Sequence, residues 1–141
     1  MDVALRNQLV EKLKSRSILV GEYPGPTISP EDFFEGNDDM GSIGCNLSDH
    51  PGVDNFYRIF ERIRSRRDVQ DVLVEIKDLV DEHSWPFTDT IFVLTSMEEH
   101  ELKNLVAELN PDEVGQFPQA SIPTDLPTLK IGMRALGVWW D

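Results

Sequence analysis

Two apolar runs close together in the middle of the chain constrain its architecture most. In VQDVLVEIKDL, residues 69–79, Val72, Val74 and Ile76 alternate with Asp71, Glu75 and Lys77, Leu73 being the one apolar exception. That is the period of a half-buried strand. In TIFVLTS, residues 90–96, the run is almost continuously apolar, as expected of a central strand. Only Val80 and the connection DEHSWPFTD lie between them, so the two strands are expected to pair as neighbours.

The flanking segments carry helical spacing. Leu5, Leu9, Val10 and Leu13 predict an amphipathic helix over residues 2–16. GEYPGPTISPED carries three prolines and two glycines and reads as a loop, in which Ser29 and Pro30 could start a single turn through Phe33 and Phe34. SIGCNL, residues 42–47, is short enough for one strand. Val53, Phe56, Tyr57, Phe60 and Ile63 form one stripe of a second helix, with Ser48 or Asp49 as its cap. Ser96 and Glu99 form a capping-box pattern ahead of a third helix, marked by Leu102, Leu105, Val106 and Leu109. Residues 111–127 contain four prolines and no periodicity, and MRALGVWW reads as a final strand.

From residue 42 onward the order is therefore strand, helix, strand, strand, helix, strand. This is the pattern of an α+β, ferredoxin-like βαββαβ core: an antiparallel four-stranded sheet with both helices on one face. SIGCNL would then lie beside TIFVLTS in the sheet centre. The whole chain reads as one domain, with an N-terminal helix at 2–16, a loop and short turn at 21–41, and the core at 42–141. At 141 residues it is long enough to bury a core without disulfide or metal staples.

Charge narrows the functional classes. Against 13 basic side chains stand 26 acidic ones, a net charge of −13. A chain this acidic is poorly suited to gripping nucleic acid or anionic lipid. No apolar run is long enough to span a membrane, and the N-terminal segment lacks the apolar core of a secretory signal. One cysteine and no export signal point to a reducing, cytoplasmic setting. From Ser17 to Tyr57 there is no Lys or Arg, while Glu22, Glu31, Asp32, Glu35, Asp38, Asp39, Asp49 and Asp54 all lie there.

Candidate chemistry is sparse. Cys45 could act as a nucleophile beside His50, yet between Ile43 and Leu47 it reads as a small core residue. Asp38 and Asp39 are hard ligands for an exposed divalent ion, but Asp49 and His50 lie at the far end of a six-residue strand, about 20 Å away. GSIG lacks the lysine of a phosphate-binding loop. No cofactor is called for. Trp85, followed by Pro86 and Phe87, reads as the plug of a hairpin end or as an aromatic anchor for a partner.

FFEGNDDMGSIGCNL, followed by HPG, DVLVEI and WPFTDTIFVLTS, resembles a group of small acidic bacterial proteins of uncharacterised function, over residues 30–96. In size, acidity and lack of catalytic residues the chain also looks like bacterial immunity proteins that neutralise cationic toxins, although it has no inhibitory helix like that of barstar. The expected function is non-enzymatic binding of a basic protein partner. Glu35, Asp38, Asp39, Asp49 and Asp54 would steer association, and Trp85 would supply a contact. The alternatives are a small-molecule or divalent-metal enzyme beside Cys45 and His50, and a homodimer paired through the open sheet face.

Overall fold

The computed structural model describes residues 1–141. The N-terminal helix α1 spans Val3–Lys14, capped by the Asp2 side chain, which accepts the Leu5 amide at 3.1 Å. It buries Leu9, Val10 and Leu13, and also Arg6, whose guanidinium donates to the carbonyls of Asp81 at 2.6 Å and Ser84 at 3.1 Å. A buried guanidinium is tolerated because those carbonyls replace its water.

The proline-rich loop that follows forms a two-residue strand, β1 (Thr27–Ile28), and then the expected single turn, α2 (Pro30–Phe34). Ser29 caps that turn by accepting the Asp32 amide, and Phe33 and Phe34 are driven into the core. Helix α3 (Val53–Arg64) presents Val53, Phe56, Ile59, Phe60 and Ile63 to the sheet. Its start departs from expectation, since Gly52 at φ +96° precedes it and neither Ser48 nor Asp49 caps it.

The antiparallel sheet runs β1-β2-β3-β5-β4, with β2 at Val69–Glu75, β3 at Thr90–Thr95, β4 at Glu113–Gly115 and β5 at Arg134–Trp139. Helix α4 (Glu99–Leu105) precedes β4. The Ser96/Glu99 capping box is not formed; the Glu99 carboxylate instead accepts the Gln116 amide at 3.1 Å.

The fold is α+β, with the helices on one face, but the expected first strand is absent. SIGCNL forms a series of turns: Ile43 is buried, Cys45 is exposed and Gly44 sits at φ +61°, which interrupts an extended run. Without it β5 lies directly against β3, and the sheet has five strands rather than the four of the ferredoxin-like arrangement. The edges are supplied by two segments read as loops, β1 and β4.

Strand alternation separates two cores. Val72, Val74, Ile76, Ile91, Val93, Leu136 and Val138 join the helices in one cluster of 25 buried residues. Trp140 belongs to it, with its indole N–H donating to the Leu109 carbonyl at 2.8 Å. On the other face Phe92, Leu94 and Ala135 are covered by Phe117, Ile122 and Leu126 of the long proline-rich segment. That segment is tied down by Asp125, whose carboxylate accepts the amide and the hydroxyl of Thr27, both at 3.0 Å. The face expected to be open for dimer pairing is thus occupied by the chain itself. No helix is long and apolar enough to cross a membrane.

Candidate functional site

The predicted acidic residues divide by role. Asn37 is buried and holds the turn after α2, donating to the Phe33 carbonyl and the Ser42 hydroxyl while accepting the Asp39 amide at 2.9 Å. Asp39 then spends both oxygens on the backbone: one accepts the Gly41 amide at 2.9 Å and the other the Trp85 amide at 3.1 Å. Asp39 is therefore a turn-former that pins this loop to the β2–β3 connection.

Asp38 points outward, its side chain 78% exposed, with the N-terminal ammonium at 3.0 Å. It lines a groove of about 410 Å³ together with Met40, the turn Pro51–Gly52 and the first residues of α3, including Asp54. Glu35 lies in a separate, smaller groove with Leu5, Lys12 and Asp32, and Asp49 is exposed outside both. Of the five predicted acids, the structure therefore brings Asp38 and Asp54 together.

Trp85 has to be withdrawn as a partner contact. It is 1% exposed and belongs to the main core, where its indole N–H has no hydrogen-bond partner. The Cys45 expectation is corrected as well, because the thiol is exposed rather than packed. His50 offers it no base: Nδ1 accepts the Gly52 amide at 2.9 Å, which leaves Nε2–H to donate to the Ile43 carbonyl at 2.7 Å. The ring is a staple between SIGCNL and the start of α3. No three His, Cys, Asp or Glu side chains are grouped to hold a metal ion.

A second concavity lies on the other face of the sheet, where one rung crosses every strand. Thr27, Glu75, Thr90, Trp139 and Glu113 are register partners from β1 through β2, β3 and β5 to β4. The middle of this rung floors a pocket of about 350 Å³, walled by Tyr23, Lys77, Phe117 and Ser121. The Tyr23 hydroxyl donates to Ser121 Oγ at 2.7 Å and bridges the two loops.

Glu75 is 1% exposed; Oε2 accepts the Gly25 amide at 2.8 Å and Oε1 faces Lys77 Nζ at 3.6 Å. Burial raises its pKa above the ordinary carboxyl range, opposed by the Gly25 N–H and the Lys77 charge. Lys77 also reaches Asp89 at 3.3 Å and sits 5.2 Å from the centre of the Tyr23 ring.

Sequence reasoning missed this pocket because Glu75 and Lys77 fell on the strand face read as solvent. The available signal was the pair of proline-rich loops carrying Tyr23, Phe117, Ile122 and Leu126, apolar side chains that need a surface to cover.

The Uncharacterized protein YfbO of Escherichia coli (strain K12) is 36% identical over 121 residues, covering 85% of this chain and 86% of that protein. No solved structure matches the chain. The family model described as the Uncharacterized protein YfbO family matches residues 4–138, all of the sheet and the four α-helices except the first residue of α1 and the last of β5, and the chain belongs to that family.

Proposed function

We propose that this chain is a non-enzymatic binding module, of the immunity or regulator kind, whose acidic groove receives a basic segment of a protein partner. The observation that carries this reading is the convergence of Asp38 and Asp54 on one groove to which the chain contributes no Lys or Arg. The cations nearest the groove are held: Arg58, one helical turn from Asp54 on α3, donates to Asn55 at 3.1 Å and faces Glu108 at 3.8 Å, and the N-terminal ammonium sits on Asp38 at 3.0 Å. Asp54 forms no ion pair within the chain and Asp38, 78% exposed, meets only the N-terminal ammonium, so the groove stays acidic toward a cationic surface, and exposed Met40 gives the apolar stem of a Lys or Arg something to lie on.

The test is affinity capture from the native host with wild-type protein and an Asp38→Asn, Asp54→Asn double variant. A basic protein should be retained by wild type, released as salt rises from about 0.05 to 0.5 M, and held at least tenfold more weakly by the double variant. Equal retention by the two proteins would sink the proposal.

A further inference from the structure

The pocket on the loop-covered face has features that packing alone does not require. Its floor is a polar rung set into a face that is otherwise apolar, with Leu73 and Phe92 on the next rung. Glu75 and Glu113 stand at the two ends of the part of that rung that floors the pocket, three strand spacings or about 14 Å apart. Between them lie Thr90 and the half-buried Trp139, and Phe117 stands over Gly137, two residues earlier on the same face of β5, edge-to-face with Phe92 at 5.8 Å.

Lys77 shows what this environment accommodates. Its ammonium rests near the Tyr23 ring and between two carboxylates, Glu75 and Asp89, in the arrangement that stabilises a cation by ring quadrupole and by charge. The far half of the pocket repeats the same elements, an indole, a phenyl ring and the Glu113 carboxylate. No Lys or Arg of the chain other than Lys77 lines the pocket. The Glu113 carboxylate forms no ion pair within the chain. Lys77, the one cation lining the pocket, is already matched by Asp89 at 3.3 Å just outside it, so in a molecule of net charge −13 the exposed Glu113 carboxylate stands without a countercharge.

We propose that this pocket binds a small organic ammonium ion, an amine with an apolar or aromatic body, its charge beside Glu113 and its body against Trp139 and Phe117. A volume of about 350 Å³ suits a ligand the size of a phenylalkylamine. An anion of the same shape would have only Lys77 to meet, already neutralised by Glu75 and Asp89. The site is independent of the acidic groove, which lies on the helical side of the sheet.

Calorimetric titration of the full chain with phenethylammonium and with choline, against phenylacetate as the matched anion, tests the assignment. One equivalent of the amine should bind saturably, with a dissociation constant on the order of a millimolar or below. Glu113→Gln should weaken binding about fivefold and Trp139→Leu at least tenfold. Lys77→Met should strengthen it severalfold, because a competing positive charge is removed; an anion site would respond in the opposite direction. The Asp38→Asn, Asp54→Asn protein should bind the amine as wild type does, which separates this proposal from the groove. Absence of saturable heat, phenylacetate binding as tightly, or an affinity indifferent to Glu113→Gln would each overturn the proposal. Because Glu113 is exposed, that variant decides the matter even where Trp139→Leu fails to fold.

Discussion

At the scale of the residue, Glu75 shows how a covered sheet face changes the chemistry of a strand. Burial holds its carboxyl toward the protonated form, so between the ordinary glutamate range and its raised value the folded state binds more protons than the unfolded chain. Stability from this group is therefore full at low pH and is lost as pH rises through that window. Replacing Glu75 with Gln keeps an acceptor for the Gly25 amide and removes the ionisation. Urea unfolding at pH 4 and pH 7.5 should show the Gln variant gaining on wild type as pH rises; a pH-independent difference would refute the burial argument. Asp39 makes a contrasting case. Sequence reading grouped it with Asp38 as a charge, whereas both its oxygens are spent on backbone amides, so composition exposed its charge but not its role.

At the scale of the element, what could be read from the chain was whatever carries its own period. The stripes of α1 and α3 and the runs of β2, β3 and β5 were visible because each buries a face by regular spacing. Strands β1 and β4 have two and three residues, too few to show a period, and exist because β2 and β5 offer them free edges. SIGCNL failed in the opposite direction. Its alternation looks extended, but Asn37 and Asp39 close a turn just ahead of it and Gly44 reverses φ inside it. The proline-rich cover has its own weak point in Asp125. Asp125→Ala leaves the buried Thr27 hydroxyl and amide without that partner and should cost about 1–3 kcal/mol in chemical denaturation. Hydrogen exchange should rise across residues 118–128 while β2 and β3 stay protected. Uniform loss of protection would instead mean that the cover and the sheet unfold as one unit.

At the scale of the whole molecule, the sheet has helices on one face and the proline-rich segment on the other, so its two apolar faces are covered by the chain's own side chains. Sedimentation should return a 16.1 kDa monomer at about 0.1 M salt, where repulsion between copies of net charge −13 is only partly screened. A dimer would mean that an edge strand or a surface outside the sheet faces pairs. Charge was legible at this scale; the pocket was not, because it is assembled from stretches of chain separate in sequence, around Tyr23, Glu75–Lys77, Thr90, Glu113–Ser121 and Trp139. Arg6 draws a similar long thread through the fold. Its guanidinium is satisfied by carbonyls 75 and 78 residues downstream, so α1, short for a free helix in water, is synthesised well before its dock. During translation the first helix can already reach Thr27, Asp32 and Gly36 through Arg16, Lys12 and Asp2, but the Arg6 guanidinium has no carbonyls to dock on until the β2–β3 connection has emerged and turned.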